Sequence, residues 1–178
     1  GMHMNDTLVV YESKYGGTVT YIDLLARSLP FDVMRLRELK RQRSLPHRTV
    51  VLASGVYAGR IAAAAALAKH ADLLAGKRVL VLAVGASEPG EEVERQLREA
   101  NLAPDHLDVP LFYARGAYDE GSFKLPDRIA CRALRAVVRG KDPSELDPGM
   151  RALASVTGSR ADWTDPRYLD PLIRALRG

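Results

Sequence analysis

Residues 7–18 read TLVVYESKYGGT, an apolar run that gives way to a short polar loop with two glycines and a threonine. The apolar run predicts a buried strand, and the threonine after the glycines predicts the start of a helix. Glycines let such a loop curl with its N–H groups pointing inward, and a helix N-terminus adds unpaired donors and a partial positive charge. Ser13 and Thr18 add two hydroxyl groups. The stretch therefore predicts an anion-binding loop between a strand and a helix.

Two other phosphate-binding loops are excluded by spacing. Residues 11–18 contain neither the Gly-x-x-x-x-Gly-Lys-Ser/Thr pattern of ATP-binding loops nor the Gly-x-Gly-x-x-Gly pattern of dinucleotide-binding loops. The remaining alternative is a plain strand-to-helix turn that Thr18 caps, which any α/β protein can have. The loops that follow the other strands therefore help to decide between an anion-binding loop and a plain turn.

Short apolar runs alternate with helical patterns along the rest of the chain. Strands are predicted at residues 7–11, 31–36, 49–54, 78–84 and 109–114. Helices are predicted at residues 18–29, 61–74, 91–100, 125–139 and 166–176. Such alternation predicts parallel strands joined by right-handed helical crossovers. The predicted fold is an α/β three-layer sandwich around a five-stranded parallel sheet of order 2-1-3-4-5.

The domain organisation follows from length and composition. The chain has 178 residues, of which 47% are hydrophobic, and this suits one sizeable core. Residues 1–6 are expected to be a tag remnant and disordered start, and residues 7–178 a single domain. Residues 140–165 are richer in Pro, Gly and Asp than the rest, so we expect them to form a surface connection.

Charge and cysteine content exclude several classes of protein. The net charge of +4 favours anionic ligands or surfaces, but no zinc-finger spacing and no aromatic-studded basic strand occurs, so we expect no nucleic-acid partner. Cys131 is the single cysteine, which excludes an intrachain disulfide and favours a cytoplasmic location. The four histidines lack metal-ligand spacing, so no metal site is expected.

The loops after the third and fourth predicted strands place small residues beside the first loop. In the order 2-1-3-4-5 the first and third strands are neighbours at the topological switch point, where α/β sheets bind ligands. The third loop offers Tyr57, which either covers a flat ring or is a surface tyrosine. The fourth loop offers Gly85, Ala86 and Ser87, which meet the edge of such a ring, cap the next helix, or do both.

Two further features lie after the fifth predicted strand. Arg115 and Tyr118 either contact a substrate at the same rim or belong to a solvated loop. The helix at residues 125–139 carries four arginines on one face, and apolar residues occupy the opposite side. The arginine face either docks on an anionic membrane surface or is an ordinary solvated outer face. The four residues are Arg128, Arg132, Arg135 and Arg139.

These motifs together resemble flavodoxin-like proteins, and more closely the menaquinone-dependent protoporphyrinogen dehydrogenase group among them. The resemblance runs from Leu8 to about Leu176 and is carried by residues 11–18, 53–60, 112–119 and 161–165. It implies a flavodoxin-like fold and FMN as the cofactor. The phosphate would then be held by Ser13, Lys14, Tyr15, Gly16, Gly17 and Thr18. The flavin ring would be enclosed by Ser54, Gly55, Val56, Tyr57, Gly59, Gly85, Ala86 and Ser87.

The resemblance also implies a reaction, the passage of electrons from a porphyrinogen to a quinone. The sequence departs from typical flavodoxins at residues 84–90, which lack a second aromatic. We therefore expect an FMN-dependent oxidoreductase, with a quinone or a redox protein as partner and no dedicated catalytic side chain. The alternatives are a non-enzymatic electron carrier, which the basic net charge disfavours, and a flavin-free binding module of the same fold. The oligomeric state is left open.

Overall fold

A parallel sheet built from the apolar runs forms the centre of the computed structural model, which describes residues 5–178. Its strands and those of a smaller ribbon are β1 (Thr7–Glu12), β2 (Asp32–Arg35), β3 (Thr49–Tyr57), β4 (Arg60–Ile61), β5 (Arg78–Gly85), β6 (Leu111–Arg115), β7 (Ala117–Asp119) and β8 (Arg160–Asp162). The main sheet has the order β2-β1-β3-β5-β6, with all four pairings parallel, and β4 folds back antiparallel on β3. Without β4 this is the predicted order 2-1-3-4-5, so the predicted fold is confirmed.

Helices cover both faces of this sheet. They are α1 (Gly17–Leu25), α2 (Ala66–Lys69), α3 (Ala71–Leu74), α4 (Glu91–Asn101), α5 (Leu125–Arg139), α6 (Pro148–Ser155) and α7 (Asp170–Arg177). Short 3-10 turns lie at Leu36–Arg41, Ala62–Ala65, Glu120–Ser122, Pro143–Glu145 and Pro166–Leu169. None of the helices among residues 5–178 is long and apolar enough to cross a membrane.

Two hydrophobic cores lie on opposite faces of the sheet, because successive strand side chains point in opposite directions. Leu8, Val10 and Leu52 pack into the core that includes Leu67 and Leu97 from α2 and α4. The other core joins Val9, Val51 and Leu80 to residues of α1 and α7, namely Tyr21, Leu25 and Leu172. The middle of β3 is completely buried, as expected for a parallel strand covered on both sides.

The register of the sheet brings the carboxyl ends of its strands to one edge. Glu12 at the end of β1 pairs with Ser54, and Gly55 of β3 pairs with Val84. Gly85 at the end of β5 pairs with Arg115 at the end of β6. The loops after these strands therefore meet at the topological switch point, as the predicted strand order requires.

The helix predicted at residues 18–29 ends at Leu25, and the one predicted at residues 166–176 begins as a 3-10 turn, while two other predicted elements differ more. The third strand does not stop at residue 54 but continues to Tyr57, because β4 pairs with its end through Val56↔Ile61 and Tyr57↔Arg60. The predicted helix at residues 61–74 is broken into a 3-10 turn and two short helices that meet at His70. The Ala63 amide donates to Ser54 Oγ at 3.0 Å, which ties the first of these turns to β3.

Residues 117–162, called the capping segment below, form a unit beside the carboxyl edge of the sheet. β7 and β8 pair antiparallel at its base, with Tyr118 opposite Ala161, and α5 packs against α6. The prediction that residues 140–165 form only a surface connection is therefore wrong. The chain re-enters the main domain where the Trp163 amide donates to the Gly116 carbonyl at 3.0 Å.

A buried carboxylate connects β7 of the capping segment to α5. Glu120 has no exposed surface and accepts hydrogen bonds from the Tyr118 hydroxyl at 2.7 Å and from Arg135 at 3.1 Å. The Nε of Arg132 lies 3.5 Å from the same carboxylate. Arg135 thus points into the protein, and the expectation that all four arginines of this helix form an outer face is corrected.

Candidate functional site

The carboxyl edge of the sheet contains a cavity of about 500 Å³. This volume lies within the range of small-molecule and cofactor sites. The cavity extends from the loop after β1, past the ends of β3, β5 and β6, to the helices of the capping segment. Its wall is mostly apolar away from the first loop, so the site suits a ligand with one anionic end and a largely apolar body.

The loop after β1 is built to receive an anion. Ser13 Oγ is buried and has no hydrogen-bond partner among the described residues. The backbone amides of residues 14–18 donate no hydrogen bond to any backbone or side-chain group of residues 5–178. Thr18 is buried, and the first turn of α1 contains no acidic residue. A buried hydroxyl without a partner is costly, so Ser13 in particular indicates that a ligand completes the loop, and the free amides beside it offer further donors.

Gly16 gives this loop its shape. Its φ of 87° lies in the left-handed region, which residues with a Cβ rarely adopt. A Cβ built at Gly16 would meet no atom within 4 Å, so the backbone conformation and not a lack of space requires glycine here. The turn directs the amides that follow toward the start of α1, where the helix dipole favours negative charge.

Close backbone packing shapes the far side of the cavity. A Cβ at Gly116 would lie 2.9 Å from Cγ1 of Val84, so a larger residue there would require the Val84 side chain to move. Gly85 and Ala86 line the cavity at the end of β5. The cavity therefore presents main-chain atoms at this edge, which suits hydrogen bonding to the rim of a flat ring.

An aromatic cluster covers one side of the cavity. The ring centroids of Tyr15 and Tyr57 are 6.0 Å apart with an interplanar angle of 73°, and those of Tyr15 and Phe123 are 4.7 Å apart. Tyr118 packs edge-on against Phe123 at 5.2 Å. Burial raises the pKa of the Tyr57 hydroxyl above its ordinary value, so the group stays neutral near neutral pH. The cluster offers neutral aromatic surface to a bound ring.

A polar link joins this cluster to α5. Lys14 Nζ lies 2.8 Å from an Asp127 carboxylate oxygen, and the Tyr15 hydroxyl donates to the same oxygen. The hydrogen bonds from Lys14 and then from Tyr15 hold the pKa of Asp127 below its ordinary value. The loop after β1 and the first turn of α5 are thus held together by an ion pair and a hydrogen bond.

This link predicts an acid-sensitive contribution to stability. A carboxylate whose pKa is lowered by folding stabilises the protein above its ordinary pKa of 3.8, and the contribution is lost as pH falls through the lower folded-state value. We expect wild type to need more urea than Asp127→Asn for unfolding at about pH 7, and the difference to disappear at about pH 2.

The control for this prediction is Asp105→Asn. Asp105 is exposed and makes no ion pair within the described residues. Its substitution should leave the urea midpoint unchanged at both pH values. A difference between wild type and Asp127→Asn that stays constant down to about pH 2 would show that the link is not ionic.

The capping segment supplies the apolar wall of the cavity. α5 contributes Ala130, Cys131 and Leu134, and α6 with the residue after it contributes Gly149, Ala152, Leu153 and Val156. This wall lies on the side of the cavity where residues 84–90 lack an aromatic. Residues 149, 152, 153 and 156 follow the i, i+3, i+4, i+7 spacing of a helix face, and this pattern could have revealed α6 from the sequence.

The structure brings most of the predicted binding residues to this one cavity. Those that line it are Ser13, Lys14, Tyr15, Gly17, Thr18, Gly55, Val56, Tyr57, Gly85 and Ala86. Tyr118 lines it as well, although its hydroxyl is taken up by Glu120. The loops after β1, β3 and β5 therefore meet at one cavity, and the roles assigned to their residues stay predictions.

Five predicted residues lie outside the lining, and one of them is Gly16, which shapes the first loop without lining the cavity. Ser54 is buried beneath the cavity and accepts from the Ala63 amide, and Gly59 lies in the turn between β3 and β4. The Ser87 carbonyl accepts from the Tyr113 hydroxyl at 2.8 Å. Arg115 donates from Nε to the Ala86 carbonyl and lines a separate cavity of about 490 Å³ near the start of α4.

Comparison with known proteins agrees with this geometry. A doubly wound α/β protein with this strand order binds its ligands at the topological switch point, where the loop after β1 lies here. The model of the flavodoxin domain family matches residues 8–145, which is more than half of the chain, and the protein belongs to that family. Family membership points to a flavin as the cofactor.

Among solved structures, one similar chain is a protein provisionally described as a flavoprotein, from Bacteroides uniformis. It is 14% identical and matches with a TM-score of 0.42 over 64% of this chain and 90% of that chain. No curated protein matches the sequence.

Proposed function

We propose that the protein binds FMN, with the phosphate in the loop of residues 13–18 and the flavin ring in the adjoining cavity. The observation that carries this proposal is the buried Ser13 hydroxyl without a partner, beside backbone amides that donate to no protein group among the described residues. FMN ends in a phosphate monoester, whose several free oxygens match such a set of donors. Riboflavin has no phosphate and would leave these donors unpaired.

The proposed roles of the residues follow from their positions. Ser13, Thr18 and the amides of residues 14–18 bind the phosphate. Tyr57 covers the flavin ring, and the main chain at Gly85 and Ala86 contacts its edge. The apolar wall of α5 and α6 excludes water from the opposite side. Bound FMN supplies the electron transfer itself, and the protein supplies binding, orientation and electrostatics.

We further propose an oxidoreductase that passes electrons between a small substrate, of porphyrinogen or similar type, and a quinone. Support comes from the largely apolar wall of the cavity, which suits reactants of low polarity. The resemblance of residues 112–119 and 161–165 to the protoporphyrinogen dehydrogenase group points the same way. Of these residues, Gly116, Ala117 and Tyr118 line the cavity.

Titration with three flavins tests the cofactor assignment. Each of FMN, FAD and riboflavin is added to flavin-free protein while flavin fluorescence is recorded. Hydrogen bonds to a charged group contribute about 1.5–3 kcal/mol each, so FMN should bind at least about tenfold more tightly than riboflavin. FAD should also bind more weakly, because its phosphates are esterified on both sides. Equal affinities for FMN and riboflavin would rule out the phosphate site.

A turnover assay separates an enzyme from a carrier. The FMN-loaded protein is mixed with a reduced porphyrinogen and a soluble quinone, and the oxidation of the porphyrinogen is followed over many equivalents. Repeated turnover is expected of an oxidoreductase. Transfer of only two electrons from the porphyrinogen per flavin, with no further reaction when the quinone is present, would favour the electron-carrier alternative with a redox protein as partner.

A further inference from the structure

The solvent-facing side of α5 is apolar along its whole length. Leu125, Ile129, Leu134 and Val137 are 61%, 59%, 43% and 55% exposed, although each is a large hydrophobic residue. Their spacing places them within one half of the helix surface, together with Ala130 and Ala133. An amphipathic helix on a globular protein normally turns such a face inward. We call this set of residues the outer face of α5.

The buried carboxylate of Glu120 explains why α5 turns its apolar side toward solvent. Arg135, Val138 and Cys131 point toward the protein, and Arg135 is held by Glu120 at 3.1 Å. A charge buried without its partner would be costly, so this ion pair fixes the rotation of α5 about its axis. The outer face is consequently exposed by a specific interaction inside the protein.

Basic side chains are concentrated on and beside this helix. Residues 124–141 contain six basic residues and one acidic residue, whereas the whole chain has a net charge of only +4. The helix spacing puts Arg128, Arg132 and Arg139 along one border of the outer face. Asp127, the acidic residue, is engaged with Lys14 at 2.8 Å. Arg132 and Arg139 are exposed, whereas Arg128 is half-buried and donates to the Phe123 carbonyl. An apolar stripe bordered by Arg132 and Arg139 therefore faces solvent.

This combination selects one kind of partner. Pairing of two copies through α5 would bring two strongly cationic segments together, which charge repulsion opposes. An anionic bilayer instead offers acyl chains to the apolar stripe and phosphate groups to the arginines.

We propose that α5 is an interfacial helix that docks the protein on anionic lipid bilayers, with its outer face inserted and its arginines at the headgroups. The apolar residues, more than the arginines alone, provide the contact. Ala130 and Leu134 belong both to the outer face and to the cavity lining, so the cavity opens beside the docked helix. Docking requires no bound flavin, and its test is independent of the FMN proposal.

Vesicle flotation tests this proposal directly. The full chain is mixed with vesicles of phosphatidylcholine alone, or with about 30% phosphatidylserine. We expect the bound fraction to rise at least about tenfold with the anionic lipid and to fall again in about 0.5 M NaCl, where the Debye length is only a few ångströms. Binding that is equal to both kinds of vesicle, or absent from both, would overturn the proposal.

A double variant separates the apolar face from the charges. Ile129→Asn with Val137→Asn alters two exposed residues that do not line the cavity and leaves the net charge unchanged, so FMN affinity and circular dichroism should match wild type. Vesicle binding should fall at least about tenfold. The matched control is Leu107→Asn, which alters a leucine of similar exposure, 57%, outside α5 and should bind vesicles as wild type does. Unchanged vesicle binding of the double variant would contradict the assignment.

Sedimentation equilibrium completes the test. The proposal expects a monomer at tens of micromolar, since the outer face is to be covered by lipid. A dimer that the double variant dissociates would overturn the proposal in favour of pairing between two copies. If the wild-type protein does not bind vesicles but binds an acidic protein through the outer face, the proposal is overturned in favour of a protein partner.

Discussion

Gly16→Val is expected to weaken FMN binding about tenfold to a hundredfold while leaving the fold intact. Gly16 has a φ of 87°, and a β-branched residue pays about 1–3 kcal/mol to adopt this conformation. Without ligand the loop can relax to a negative φ, which turns the amides of the loop away from the anion position. FMN would then have to restore the strained conformation, and this cost appears as lost affinity.

The matched control for Gly16→Val is Gly76→Val. Gly76 has a φ of 74°, and a Cβ there would also meet no atom within 4 Å, but it follows α3 at the other end of the sheet. The substitution imposes a similar backbone strain outside the cavity, so FMN affinity should be unchanged although stability falls. Thr18→Ala, which removes one buried hydroxyl, should weaken FMN binding about tenfold. If Gly16→Val and Thr18→Ala both keep wild-type affinity, the phosphate does not bind in this loop.

Glu120→Ala is expected to lower the free energy of unfolding by about 3–5 kcal/mol. The substitution leaves Arg135, whose side chain is only 14% exposed, without its carboxylate, and it leaves the Tyr118 hydroxyl without its acceptor. For a chain of this size, each kcal/mol corresponds to a shift of about 2–4 °C in the melting temperature. Urea unfolding followed by circular dichroism measures the effect.

An exposed ion pair provides the comparison. Glu92 lies 2.6 Å from Arg151, and both side chains are close to half exposed. Glu92→Ala should cost at most about 1 kcal/mol, because solvent screens exposed pairs. Glu120→Gln should lower the free energy of unfolding by an amount between these two, since the amide keeps one acceptor oxygen but removes the charge. Equal effects of Glu120→Ala and Glu92→Ala would mean that Glu120 does not hold the capping segment in place.

The main sheet could be predicted from the sequence because its signals are local. Each parallel strand is a short apolar run, and the run at residues 78–84 is buried on both sides as its composition indicates. The first loop was also recognisable, since its glycines and hydroxyls follow directly after a strand. Strand order then placed Tyr57 and Gly85 beside that loop without any knowledge of their contacts.

The helix at residues 125–139 was predicted at its observed bounds, but the way the capping segment is assembled could not be, because contacts between distant residues determine it. Glu120 looks like an ordinary surface acid in the sequence, and its burial depends on Arg135 fifteen residues later. The same ion pair inverts α5, so a face that helix periodicity alone would place inside lies outside. β7 and β8 are three residues each and pair across forty intervening positions, which gives no local pattern.

Phosphorus NMR of bound FMN tests the central claim most directly. A free phosphate monoester has its second pKa near 6, so its resonance shifts between about pH 5 and pH 8. In the loop of residues 13–18, donors that favour the dianion should hold this pKa well below 5, and the bound resonance should stay constant over that range. A bound resonance that titrates like free FMN would place the phosphate in solvent and contradict the account.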